Sequence, residues 1–190
     1  MATQNRTRKN KAWLAWFLMQ LPIIFFMDLL EVIWPAWVYQ PVGSPLHFFW
    51  GVKEWYIQKY NDPILQWTPE TSSGHDNWIR LFLYLELAFL LPTTLYGVFR
   101  LGVQRRGTSG ADELLFFVYA FEMAFTTLVC IHHTFYLDDA MYPADVKKEM
   151  QLQLYGPFLV IPILGAIDMA SRILGRIKVA DAAMGEKKLQ

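Results

Sequence analysis

Four apolar runs, at residues 12–34, 78–99, 113–137 and 152–174, constrain this chain more than any other feature. Each is about as long as the roughly 20 residues an α-helix needs to cross the hydrocarbon core. In lipid every backbone N–H and C=O must be satisfied within the protein, so an uninterrupted apolar run of this length forms a helix. The expected fold is therefore all-α: a polytopic membrane protein built as a four-transmembrane-helix bundle. Composition agrees, because 54% of the residues are hydrophobic and only 18% are charged, against about 25% in soluble domains. A net charge of zero gives no case for a nucleic-acid partner, and a lone Cys130 excludes an internal disulfide or a paired-cysteine metal site. Adjacent His132 and His133 point to different helix faces and read as a solvated helix end, so no metal and no cofactor is expected.

Charge placement orients the spans. Four crossings leave both termini on one side. That side carries Arg6, Arg8, Lys9, Lys11, Arg100, Arg105, Arg106, Arg172, Arg176, Lys178, Lys187 and Lys188. The other side carries Lys53, Lys59, Arg80, Lys147 and Lys148. The positive-inside rule then puts both termini in the cytosol. Residues 1–11 form a basic cytosolic N-terminus, 12–175 the membrane domain and 176–190 a cytosolic tail. Lys187 and Lys188 stand where a dilysine retrieval signal of the endoplasmic reticulum would stand, and a cytosolic tail is where such a signal is read. Residues 46–60 are aromatic and amphipathic but too polar to span, and are expected on the membrane surface or against the helices. Asn61-Asp62-Pro63 reads as a turn.

Ionisable groups inside spans are expensive, about 2.5–3.5 kcal/mol on insertion scales, and usually face a polar interior. Asp28 is the first of these. With a rise of ~1.5 Å per residue, Asp28 lies ~9 Å from the lumenal end of the first span and Glu86 ~12 Å from that of the second. Thr126 and Thr127 fall ~15 Å deep on the third, and Tyr155 stands near the same layer on the fourth. The simplest arrangement is one lumenal-half pocket, with Asp28 and Glu86 sharing a proton. Such a pair could hold an organic cation, stabilise a carbocation-like transition state or move a proton; the plainer alternative is that the two carboxyls only bridge helices. Glu122 reads as a helix–helix hydrogen bond, and Asp168 as the i,i+4 partner of Arg172. Pro22, Pro92, Pro157 and Pro162 lie within spans and are expected to kink helices around the pocket.

The segments LPIIFFMDLL (21–30), EWYIQKYNDPILQ (54–66), LELAFLLP (85–92) and YGPFLVIP (155–162) resemble, in order and spacing, the sigma-2 receptor family of the EXPERA superfamily. That superfamily also holds the sterol Δ8–Δ7 isomerases. The resemblance implies a homodimeric, four-helix protein of the endoplasmic reticulum membrane with an occluded pocket opening sideways to lipid. It assigns the amine-pairing aspartate to Asp28, its partner glutamate to Glu86, pocket-lining positions to Thr127 and Tyr155, and a structural aspartate to Asp62. It also departs from the family pattern: Leu90 stands where the receptors carry glutamine and Gln20 where they carry histidine, which points to a different ligand preference.

Three functional readings follow. The first is a receptor-like protein that takes a lipophilic cationic molecule or a sterol from membrane lipid, with Asp28 pairing to the amine. The second is a sterol isomerase using the same carboxyls. The isomerases place a histidine and a glutamate one turn apart on an early span, whereas His47, His75, His132 and His133 all lie outside the first two spans here; the expectation is that the chain is not an enzyme. The third, implied by family members tied to clearing mitochondrial precursors from the reticulum surface, is a trafficking or quality-control partner of other proteins.

Overall fold

The computed structural model describes residues 2–68, 77–105 and 107–188. Among them the chain is helical wherever it is regular, with no strand. Four helical segments are long and apolar enough to cross a membrane: Arg6–Asp28, Asn77–Val103, Gly110–Thr134 and Ala144–Gly185. The protein is thus an all-α polytopic membrane protein. Many large apolar side chains on these segments are exposed, among them Leu81, Leu95, Phe121, Phe125, Leu128 and Leu164. In water such surface would be costly; on a spanning helix it is the lipid-facing side.

The boundaries differ instructively from the apolar runs. Helix α1 (Ala2–Ile23) starts within the basic segment, then passes through a π-helical turn at Ile24–Asp28 to the short α2 (Leu30–Ile33). The first run is therefore interrupted at Leu29 rather than continuous to Trp34. Helix α3 (His47–Tyr60) closes on Asn61, whose φ of 50° is the left-handed conformation that asparagine tolerates at a helix end. The second span joins α4 (Asn77–Leu85), a π turn (Glu86–Leu90), α5 (Leu91–Val98) and a further π turn (Phe99–Val103). The third is α6 (Gly110–Thr134), which begins earlier than its apolar run because Ser109 and Asp112 form a capping box. The fourth joins α7 (Ala144–Glu149), a π turn (Met150–Tyr155) and α8 (Gly156–Lys188), so the expected tail continues the last helix.

Two of the in-span prolines explain two of the wide turns. A proline ring clashes with the carbonyl four residues earlier. For Pro92 that carbonyl belongs to Ala88 and for Pro157 to Gln153, each inside a π turn whose extra residue moves the carbonyl aside. Pro162 and Pro22 instead lie within continuous α-helix.

The chain divides into two compact units, residues 14–98 and residues 1–13 with 99–190. In the first, Gly97 of α5 lets the ring of Phe17 on α1 come so close that a Cβ there would sit 2.6 Å from it. Phe26 at the π turn stacks on Phe49 of α3, with centroids 3.8 Å apart and planes 5° from parallel. In the second, α6 and α8 pack along each other, and a Cβ on Gly165 would meet Trp13 at 3.3 Å and Ala120 at 3.4 Å.

Candidate functional site

Asp28 is the last residue of the first π turn, Glu86 the first of the second, and Tyr155 the last of the fourth-span turn. Three of the four residues picked out for ligand binding therefore sit on widened helical turns, which recur at functional sites because the extra residue re-aims a side chain and loosens the backbone ladder. At Asp28 the widening is explicit: the Leu29 N–H donates to the Ile24 carbonyl, five residues back, at 2.9 Å. Asp28 and Glu86 belong to the unit of residues 14–98, and Thr127 and Tyr155 to the other.

Around Asp28 the stacked rings of Phe26 and Phe49 hold α3 against the π turn, and one turn beyond Phe49 stands Lys53. Lys53 is only 3% exposed. A buried ammonium needs a carboxylate, and its Nζ lies 3.1 Å from Glu31 Oε1. Asp28 in turn lies in the electrostatic field of both Lys53 and Asp62. Asp62 is buried; it accepts from the Ile64 N–H at 2.9 Å and from the Tyr56 hydroxyl at 3.3 Å. Burial, and then the negative Asp62 and Asp28, push the Tyr56 phenol above its usual range. Among the described residues the cluster thus holds three carboxyl groups, Asp28, Glu31 and Asp62, against one ammonium and one phenol. Such an excess of acidic groups over cations suits a cationic ligand.

Lys53, Glu31 and Tyr56 were not picked out from the sequence. Glu31 is the counter-ion of Lys53. A signal was present, since Phe49, Lys53, Tyr56 and Tyr60 recur at helical spacing on one face of an aromatic segment. Gln20 and Leu90, the two departures from the family pattern, are buried in the same unit.

In the unit of residues 1–13 and 99–190 two buried carboxylates, Asp168 and Glu113, are well served. Asp168 accepts from Lys9 Nζ at 2.5 Å and from Trp13 Nε1 at 2.9 Å, and its i,i+4 partner Arg172 lies at 2.7 Å, as the spacing predicts. Glu113 accepts from Arg176 Nε at 2.5 Å and from the Thr108 hydroxyl at 2.8 Å. Thr126 bonds back to the Glu122 carbonyl of its own helix at 3.0 Å. Glu122 corrects the expectation of a helix–helix hydrogen bond: among the described residues neither of its buried carboxyl oxygens has a hydrogen-bond partner. Helix α8 runs through Lys188, but the side chains of Lys187 and Lys188 lie outside the described residues.

These features define a helical, four-span membrane protein with an acidic cluster at one end of its first span. Residues 48–169, more than half of the chain, match the family model of EXPERA, the expanded EBP superfamily, and the chain belongs to that family. It is 29% identical over 174 residues to sigma intracellular receptor 2 of Homo sapiens and of Macaca fascicularis, covering 86% of this chain and 89% of each relative. It is also 27% identical over 171 residues to efficient mitochondria targeting-associated protein 19 of Schizosaccharomyces pombe, covering 90% of this chain and 79% of that one.

Proposed function

We propose that this EXPERA protein is a receptor-like protein of the endoplasmic reticulum membrane that binds a lipophilic cation or a sterol, with Asp28 as the carboxylate that pairs with a cationic amine. The observation that carries this reading is the excess of carboxylates over cations around Asp28, on a widened turn of an apolar span. A desolvated carboxylate without a full complement of counter-charge gains most from a ligand that brings one. Similarity to sigma intracellular receptors supports the receptor-like character. Glu86, on the matching π turn of the second span, is the proposed partner carboxyl, and Asp62 a structural acid holding the end of α3. Both termini face the cytosol in this reading, Lys187 and Lys188 act in retrieval, and the protein acts as a homodimer.

The deciding experiment is equilibrium binding of a radiolabelled lipophilic tertiary amine to the purified chain. Asp28→Asn removes the charge with little change of shape and should weaken binding at least a hundredfold while the thermal unfolding profile is kept. Unchanged affinity in that variant would exclude Asp28 as the site.

A second reading has its own support in the likeness to efficient mitochondria targeting-associated protein 19. Here the chain assists the handling of mitochondrial precursors at the reticulum membrane, with the ligand site as a lipid sensor. Slower import of mitochondrial precursors in cells depleted of the chain, restored by wild-type protein and equally by Asp28→Asn, would favour this role over ligand reception.

A further inference from the structure

Buried inside the acidic cluster is a cation that the ligand would have to live with. Lys53 is 3% exposed, so its ammonium has no water to spread its charge into, and its Nζ is anchored on Glu31 Oε1 at 3.1 Å. Glu31 stands three residues after Asp28, across the interruption at Leu29, and the two acids share the field of the same lysine. The Phe26–Phe49 stack fixes α3 against this stretch, so Lys53 is held near Asp28 by packing as well as by charge. Tyr56, the next turn of α3, is engaged by Asp62, which leaves Lys53 as the one basic group among the cluster's described residues.

We infer that Lys53 is a built-in competitor for the cation position at Asp28, latched away from it by Glu31, and that this pair sets the charge selectivity of the site. The inference rests on the ligand reading above and names what regulates that same site. An incoming amine that pairs with Asp28 meets the attraction of Asp28 and Asp62 and the repulsion of Lys53. A neutral sterol meets neither. With Lys53 in place the site discriminates less strongly in favour of cations than its three carboxylates alone would. Glu31 controls the balance: while it holds Lys53, Asp28 is open to a ligand; without it, the flexible lysine stem can swing its ammonium onto Asp28.

Two substitutions carry opposite expected signs. The full-length purified chain is assayed in lipid nanodiscs with a labelled lipophilic tertiary amine and with its uncharged isostere, in which carbon replaces the nitrogen. Lys53→Met removes the like charge and should tighten amine binding roughly tenfold to a hundredfold, the size expected for one charge about 12 to 6 Å away at an effective dielectric of about 20. Glu31→Gln releases Lys53 and should weaken amine binding about tenfold. Lys53→Arg keeps the charge and should stay close to wild type. Affinity for the uncharged isostere should stay constant throughout, which a merely structural role of the pair would not produce. Parallel changes in amine and isostere affinity overturn the inference, as does unchanged amine affinity in both variants. If Lys53→Met fails to fold, Lys53→Gln combined with Glu31→Gln decides: amine affinity restored to wild type or above supports the inference, and affinity as low as in Glu31→Gln alone overturns it. Binding that depends on Asp28 but ignores Lys53 and Glu31 overturns this inference and leaves the ligand reading standing. A wild-type chain with no Asp28-dependent amine binding overturns both.

Discussion

The two acidic clusters of this protein are built from the same residue types to opposite effect. In the unit of residues 1–13 and 99–190, Asp168 is met by Lys9, Arg172 and Trp13, and Glu113 by Arg176 and Thr108. In the unit of residues 14–98, Asp28 and Glu31 share one lysine, and Asp62 accepts from a phenol and a backbone N–H among its interactions. Desolvating a carboxylate costs several kcal/mol, and it is tolerated where cations and donors return that energy in good geometry. The first cluster meets that condition internally and is a clamp that joins α1, α6 and α8. The second meets it only in part, and a partly served acid is where an external cation gains most.

Breaking the clamp should have the largest effect. Arg176→Met leaves the Glu113 side chain, 0% exposed, with the Thr108 hydroxyl alone. The expected loss is about 3 kcal/mol, the lower end for a broken buried pair because Arg176 itself is 42% exposed. Detergent-solubilised thermal or chemical unfolding reads it; a loss below about 1 kcal/mol would place this cluster with ordinary surface ion pairs. Packing in the other unit should respond next. Gly97→Ala puts a Cβ 2.6 Å from the Phe17 ring and should cost about 1–3 kcal/mol, as overpacking does. Adding Phe17→Leu should return part of that loss, and strictly additive effects would show that the two residues do not meet.

Two smaller effects concern protonation. The Tyr56 phenol is held above its usual range by burial and by Asp62, so it should remain un-ionised when exposed tyrosines titrate near pH 10 in ultraviolet difference spectra. Its contribution to stability is whole below about pH 10, the unfolded value, and is lost as pH rises through the higher folded value. Asp62→Asn should lower that phenol's titration point. The smallest effect is at Asp139, an exposed acid whose carboxylate is held below the ordinary range by its hydrogen bond to Lys147 at 2.7 Å. The stability it adds is present above about pH 4 and lost as pH falls through the depressed folded value. Carbon-detected titration should see Asp139 rise toward the usual carboxylate range in Lys147→Met, with little change in unfolding at neutral pH.

Much of this was legible from residue types alone. Apolar run length dictated four helical crossings, because lipid leaves the backbone no other way to satisfy its polar groups. The spacing of Asp168 and Arg172 was enough to pair them, since four residues on a helix return to the same face. The cost of charge in lipid singled out Asp28 and Glu86, and family resemblance gave them a ligand class. The Ser109–Asp112 capping box was there to read as well, and would have started the third span where the helix does.

What the one-dimensional pattern could not decide was how helices meet and where turns widen. Prolines mark a disturbed helix, but only the fold shows Pro92 and Pro157 answered by π turns while Pro162 rides in regular helix. Glu122 looks in sequence like any interhelical acid, and only its surroundings leave its carboxyl without a hydrogen-bond partner among the described residues. Asp28 was expected to be understood through Glu86; the tertiary structure adds Lys53, Glu31 and Asp62, brought beside it by the Phe26–Phe49 stack. The physical reason is range. Hydrophobic length and helical periodicity act along the chain and are written in it, whereas the balance of charge at a buried site depends on which segments pack together, which only folding in three dimensions determines.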